Sequence, residues 1–305
     1  SRDCRVPGPE HKLGPMSQAR DRSAASVRGL AASREAILMG GLYDGVSARL
    51  ARRAGFPLCF IGGYAVAASL LGEPDVGLLT QTEMADAARR LCRLVDVPVL
   101  VDADTGYGGE RNVVRTAELY AGAGAAGLFL EDQVFPKRCG HMAGKQVVER
   151  GEWLARLRSV VRLRPGLDLF VVARTDARAP LGLDEAIARG LAALDLGVDA
   201  IFVEAPQSLA ELDRIAREIP GTKVANMVER GRTPVVPASE LAARGFRLIV
   251  FPVAAILAQA RAVEDVFTTL RRDGTSAAML DRLYGFDAFN DLMGLDERGG
   301  PTNGR

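Results

Sequence analysis

Between Glu131 and His141 the chain reads Glu-Asp-Gln-Val-Phe-Pro-Lys-Arg-Cys-Gly-His. Glu131 and Asp132 end an apolar run over residues 125–130. Cys139 follows among Lys137, Arg138 and His141, in a stretch that also holds Gly140 and Gly144. Nearby positive charge stabilises a thiolate, so the local sequence predicts a Cys139 thiol biased toward its anion. Carboxylates close to a reactive thiol suggest metal-assisted chemistry with Cys139 as acid or base. The competing reading is a solvated charged loop around an idle thiol.

Other positions offer matching chemistry. Asp102 and Asp104 alternate at the end of an apolar run, so on a strand they share a face. With Glu131 they form an acidic cluster, and clustered carboxylates repel unless a cation neutralises them. The alternative for Asp104 or Asp132 is a helix cap. The chain has 2 histidines, His11 and His141, so a His-rich metal site is excluded. Carboxylates and water would have to hold any metal, which favours Mg²⁺, with Mn²⁺ possible. Arg174 ends another apolar run and is poised to grip a carboxylate bidentately, against the alternative of a structural ion pair with Glu204 or Asp176. The backbone N–H groups of Gly62-Gly63 suit a carboxylate or an oxyanion. The glycine-bearing loop 137–145 can close, exclude water and deliver Cys139. Together these residues suit an α-keto or α-hydroxy acid chelated to Mg²⁺. An enolate forms, and Cys139 supplies or removes a proton.

The elements that position these groups show in the hydrophobic pattern. Short apolar runs recur at 37–42, 58–63, 97–104, 127–132, 167–176, 200–204, 223–228 and 248–252. Helical periodicity separates them, at 46–54, 81–94, 112–123, 151–162, 184–196, 208–218 and 237–244. Near-continuously apolar strands alternating with helices predict a parallel sheet covered on its outside. The fold class is therefore α/β, a (β/α)8 TIM-type barrel. A doubly wound open sheet is the runner-up, and it lacks a GxGxxG after the first strand. The runs end in Tyr43-Asp44, Gly62-Gly63-Tyr64, Asp102-Ala103-Asp104, Glu131-Asp132, Arg174-Thr175-Asp176, Glu204 and Asn226. In a barrel these ends share the C-terminal face, where active sites are built.

Residues 1–25 read as a disordered extension, with Met16 a candidate natural start. Residues 26–295 read as one barrel domain with C-terminal helices, and 296–305 as a loose tail. Two helical stretches, 254–272 and 276–292, follow the eighth strand. That is one more than the barrel needs, and the surplus suits packing on a neighbouring subunit.

Composition sets the outer bounds. A chain of 305 residues, 48% hydrophobic and 25% charged, is ordinary globular protein. A net charge of +1 implies no long-range attraction to nucleic acid or to an anionic membrane. No uncharged apolar run is long enough to span a bilayer. The first 25 residues lack the apolar core of a secretory signal. The 4 cysteines form no CxxC pair, which argues against a zinc knuckle or a disulfide framework and suits a cytoplasmic compartment.

From about residue 26 to 285 the chain resembles the isocitrate lyase/phosphoenolpyruvate mutase superfamily. The matching stretches are Tyr43-Asp44, Gly72-Glu73-Pro74-Asp75, the run from Val101 to Gly108, the run from Leu130 to His141, Ala173 to Ala177 and Ala225 to Glu229. The Lys-Arg-Cys-Gly-His run after Glu-Asp-Gln is its most specific part and marks the C–C bond lyases. The resemblance implies a barrel whose eighth helix is swapped between subunits, usually in homotetramers. It implies Mg²⁺ held directly by Asp102, with Asp75, Asp104 and Glu131 acting mainly through water. Arg174, Gly62, Gly63, Tyr64, Glu204 and Asn226 would hold substrate. Cys139 would protonate the enolate, with Lys137, Arg138, His141 and Tyr43 completing the catalytic set.

Departures from the family pattern shape the expected substrate. Gly62-Gly63 stands where a Ser-Gly pair is common, so a hydroxyl is missing. Met227-Val228-Glu229 offers no hydroxyl for a third carboxylate. The expected activity is an oxo-acid-lyase cleavage of a small 2-hydroxy or 2-keto dicarboxylate, such as a substituted malate. Cleavage of 2-methylisocitrate, a carboxyphosphonoenolpyruvate mutase-like activity and non-catalytic dicarboxylate binding are the competing readings.

Overall fold

The structure, a computed structural model, describes residues 21–33 and 35–295. Eight parallel strands close into a barrel in sequence order. They are β1 (Ile37–Leu42), β2 (Leu58–Ile61), β3 (Val99–Asp102), β4 (Gly127–Glu131), β5 (Phe170–Thr175), β6 (Ala200–Val203), β7 (Lys223–Asn226) and β8 (Leu248–Phe251). The pairing of β1 with β8 shuts the barrel and excludes the open sheet.

Each strand is apolar on both faces because each face meets a different core. Met39, Phe60, Leu100, Phe129, Val172, Phe202, Val224 and Val250 point inward and pack together. Their neighbours Cys59, Val101, Leu128, Val171, Ile201 and Ile249 point outward against the helices. This alternation builds the site. One more inward position along β2 to β7 brings Gly62, Asp102, Glu131, Arg174, Glu204 and Asn226. The pleat that fills the barrel with hydrocarbon therefore ends it in a polar rim.

Several expected boundaries shift. The run 58–63 is cut at Ile61, because Gly63 begins a helical turn, Gly63–Val66, that continues as a wider turn over Ala67–Leu71. The predicted break at residue 25 falls inside a helix, Ala24–Ala32, whose N-cap Ser23 accepts from Ser26 N–H. Its Ala24, Val27 and Ala31 join the inner core and close the barrel's bottom. Residues 1–20 and 296–305 lie outside the described residues. The predicted helix 276–292 is two pieces, Ala277–Arg282 and Phe286–Leu292, parted before Gly285. The helix after β8, Ala254–Asp273, buries Thr269 and leaves Leu257, Val263, Phe267 and Leu270 exposed. Among the described residues, no helix is long and apolar enough to cross a membrane.

Candidate active site

A cavity of about 460 Å³ opens at the C-terminal mouth of the barrel. Its floor is aromatic: the Phe60 and Phe129 rings lie 4.8 Å apart, and Phe129 and Phe202 lie 5.9 Å apart. Gly62, Gly63, Tyr64, Asp75, Asp102, Arg174, Glu204 and Asn226 line it above that floor. Two loops cover it, one carrying Cys139, Gly140 and His141, the other Val228 to Arg232.

One wall is acidic around a buried lysine. Lys137 Nζ lies 2.5 Å from Asp75 Oδ1 and 2.7 Å from Asp104 Oδ1. Burial alone would discharge this ammonium, but Asp104, Asp75 and Glu131 outweigh it and hold its pKa well above the lysine range. Burial pushes Asp104 up to about 7, against the pull of Lys137. Asp104 does not follow Asp102 on the strand as expected. β3 ends at Asp102, and Asp104 has a left-handed φ of 46°. The two still converge. A Cβ on Gly63 would sit 3.3 Å from Asp104 Oδ1, 3.5 Å from Asp102 Oδ2 and 3.5 Å from Lys137 Nζ. The Gly63 N–H, expected to receive a carboxylate, donates to Asp102 Oδ2 at 3.3 Å. Gly62 meets another constraint, for its Cβ would press Phe60 at 3.0 Å.

The opposite wall is organised by Arg174. Strand register sets Arg174 beside Glu131 on β4 and Phe202 on β6. Its guanidinium stands 5.4 Å from the centre of the Phe202 ring. Its Nη2 lies 3.3 Å from both Glu131 Oε2 and Glu204 Oε2, and its Nε donates to Asp176 Oδ2 at 2.9 Å. The predicted alternative pairing with Glu204 and Asp176 is thus present, while the side chain still lines the cavity. Burial raises Glu131 well above the usual carboxylate range, Arg174 opposing. Burial would also raise Glu204. Arg174 and His141 outweigh it and hold Glu204 well below that range. Asn226 Nδ2 donates to Glu204 Oε2 at 3.2 Å. Asp132 turns away from the cavity, accepting from Thr175 Oγ1 at 2.6 Å and Arg189 at 3.1 Å. It ties the ends of β4 and β5 rather than capping a helix.

The covering loop corrects the expected thiolate. Burial pushes the Cys139 thiol up to about 11, a hydrogen bond from the His141 backbone opposing and Asp75 and Glu204 adding to it. The cationic neighbours in sequence do not act as neighbours in space. Lys137 is held by Asp75 and Asp104. Arg138 is exposed and outside the cavity lining, its backbone pinned by the Gln133 side chain. His141 Nδ1 accepts from the Arg232 N–H at 2.9 Å, which leaves the proton on Nε2. Nε2 lies 3.2 Å from Glu204 Oε1, off the angle of a hydrogen bond. Gly140 presses on Glu204 so closely that a Cβ there would stand 2.5 Å from it.

Tyr43, expected in the catalytic set, is not among the residues that line the cavity. It is buried at the end of β1 and lines a separate groove with Val66, Ser69 and Ile256. Sequence reading missed Lys145, Arg232 and the three phenylalanines of the floor, and weighed Asp176 only as a strand-end residue and an ion-pair partner of Arg174. The period-2 alternation could have flagged Phe60, Phe129 and Phe202, each one inward step before a rim residue.

The donor set fits a divalent cation in a particular way. Among the described residues, Asp75, Asp104, Glu131, Asp176 and Glu204 pair with Lys137, Arg174 and Lys145 as full cations, and Asp102 adds a further carboxylate. Both Glu131 oxygens and Asp104 Oδ1 are buried without a well-formed hydrogen bond. That excess of negative charge suits a hard cation. Yet among the described residues no three acidic, His or Cys groups converge as a protein cage. The fit is to Mg²⁺ bound by few carboxylates and completed by water and substrate, with Asp102 and Asp75 the two aspartates that line the cavity.

A closed parallel barrel with carboxylates, an arginine and a thiol converging at its C-terminal mouth defines a barrel enzyme for small carboxylates. The phosphoenolpyruvate phosphomutase family profile matches residues 27–271. The chain is 43% identical to 2,3-dimethylmalate lyase of Eubacterium barkeri, across 90% of this chain and 95% of that protein. It is 46% identical to the chloroplastic carboxyvinyl-carboxyphosphonate phosphorylmutase of Arabidopsis thaliana, across 85% and 78%. The structure of oxaloacetate acetylhydrolase with the inhibitor 3,3-difluorooxalacetate superposes with a TM-score of 0.87 at 35% identity, covering 92% of this chain and 98% of that one. A phosphonopyruvate hydrolase solved with oxalate and Mg²⁺ superposes with a TM-score of 0.80 at 27% identity, across 90% and 96%. The chain belongs to the phosphoenolpyruvate phosphomutase family, within the phosphoenolpyruvate mutase/isocitrate lyase superfamily. It is an enzyme of that superfamily's carbon–carbon lyase kind.

Proposed function

We propose that this chain is a Mg²⁺-dependent lyase, with Mn²⁺ as a substitute, that cleaves a small 2-hydroxy or 2-keto dicarboxylate through an enolate. Cys139 is the general acid. The observation that carries this reading is the Cys139 thiol, held protonated at neutral pH, over a cavity that offers Asp102 on one wall and Arg174 on the other. Asp102 would hold the metal, and Asp75, Asp104 and Glu131 would act through water or through the charge they set. A divalent cation held there would supply Lewis-acid charge that stabilises the enolate.

The chain's own groups do the rest. Arg174 grips a carboxylate, Asn226 and His141 orient Glu204 beside it, and Gly62 to Tyr64 close the wall. As the 2-hydroxyl gives its proton to a wall carboxylate or to solvent, C2 becomes a carbonyl and the C2–C3 bond breaks. The electron pair of that bond becomes the enolate of the departing acid. The Cys139 S–H then gives its proton to C3. A 2-keto substrate follows the same route after water adds to its carbonyl.

The walls favour an alkyl-substituted malate. Phe60, Phe129, Phe202, Val228 and Val250 offer apolar surface to a substituent. Glu229 also lines the cavity, with Oε2 buried and unpartnered, and would repel the third carboxylate of a 2-methylisocitrate. The lyase test is release of an α-keto acid from a panel of 2-hydroxy dicarboxylates with Mg²⁺. Cys139→Ser should lower kcat by about 10³-fold, and unchanged turnover would remove Cys139 from the mechanism. The 46% identity to the plant phosphorylmutase favours a second reading, a carboxyphosphonoenolpyruvate mutase-like activity. ³¹P NMR on phosphonopyruvate-type compounds separates the two.

The exposed Leu257, Val263, Phe267 and Leu270 support a homotetramer in which the helix Ala254–Asp273 packs on a neighbouring barrel. Light scattering that returned a single chain would refute this assembly.

A further inference from the structure

We propose that Lys145 is a positioning residue that latches the Cys139 loop shut, through the same carboxylate that orients Arg174. This rests on reading Cys139 as the proton donor. The loop leaves the barrel after β4 and returns along an antiparallel bridge between Gln133 and Val147. The Gln133 side chain shapes its base by bonding both N–H and C=O of Arg138. The tip is held differently. Cys139 N–H donates to the Asp75 carbonyl at 3.0 Å, and Lys145 Nζ donates to the Gly140 carbonyl.

The Lys145 side chain is 0% exposed, as is that of Asp176. A buried ammonium must be paired and have its protons accepted. Asp176 Oδ1, at 2.7 Å, supplies the charge. The Gly140 carbonyl supplies the second acceptor. Lifting the tip would strip a buried ammonium of that acceptor, so a charge-assisted hydrogen bond favours the closed loop. An ion pair with Asp176 alone would have anchored only the returning end of the loop, leaving its tip free. The second acceptor, next to Cys139 in the chain, makes Lys145 a latch. Asp176 Oδ2 accepts from Arg174 Nε at 2.9 Å, so loop closure and the guanidinium that lines the cavity are set together.

The test is the rate of Cys139 alkylation by iodoacetamide, read by peptide mass spectrometry in the full chain without substrate. Lys145→Met should alkylate Cys139 about tenfold faster than wild type. Cys59 and Cys92, both buried, report whether the barrel is still folded. A Cys139 rate raised less than about threefold, with Cys59 and Cys92 unmodified, overturns the latch. If Lys145→Met exposes Cys59 or Cys92, Asp176→Asn carries the same test with the same threshold, since it keeps the side chain's shape while removing the charge. The assay needs no turnover. A released loop with no lyase activity would sink the proposed reaction and leave the latch standing. A Cys139-dependent activity with unchanged alkylation would do the reverse.

Discussion

Asp102, Glu131, Arg174, Glu204 and Asn226 stand where the pleat of a strand puts them, whereas Cys139, Gly140 and His141 stand where Asp75, Lys145 and Arg232 hold them. The two groups share one cavity and obey different rules. Rim residues are neighbours through register, so their charges are interlocked and removing one disturbs the barrel itself. The loop tip is docked from outside by a few directed contacts, so its placement can fail while the barrel stays intact.

The largest expected effect breaks the rim. Arg174→Gln leaves Glu131, Asp176 and Glu204 around a neutral side chain, and should cost about 3–5 kcal/mol of stability. Urea unfolding measures it. A loss below about 1 kcal/mol would mean that the rim is not held together by this arginine.

An intermediate effect separates tip from rim. Gly140→Ala places a methyl 2.5 Å from Glu204 and must lift the tip. Turnover should fall by about 10–100-fold while the urea midpoint stays near wild type. A parallel fall in stability would show that tip and rim are one unit after all.

The smallest effect concerns the thiol. Burial disfavours the thiolate and puts the Cys139 pKa at about 11, so the proton is held throughout the neutral range. Alkylation of Cys139 should rise about tenfold per pH unit from pH 7 to 10. A plateau near pH 8 would restore the thiolate that the local sequence suggested.

Much of this was legible in the chain, for reasons that can be named. The recurring short apolar runs located all eight strands, because both faces of each strand are buried, and the polar residues that end those runs named the rim. Boundaries were less legible. Gly63 reads as the end of a strand, yet it opens a helical turn whose N–H is taken by Asp102. Ala24–Ala32 escaped notice because its small residues carry little apolar pattern. The loop was legible as a loop and misleading as chemistry. Lys137, Arg138 and Cys139 are adjacent in sequence. In space the first faces Asp75 and Asp104, the second faces solvent, and the third is half-buried. Tyr43 was placed in the catalytic set by the family resemblance. It packs in the outer core with Leu42 and lines another groove.

Sequence alone determined the barrel, the polar rim and the presence of a thiol on a glycine-bearing loop. Those follow from periodicity and from residue type, which are local properties. Tertiary structure decided which charges compensate which, whether Cys139 keeps its proton, and that Lys145 reaches Gly140. Those depend on burial and on contacts between residues distant in the chain. A charge's effect is set by the dielectric and the partners around it, and neither is written in its neighbours along the sequence.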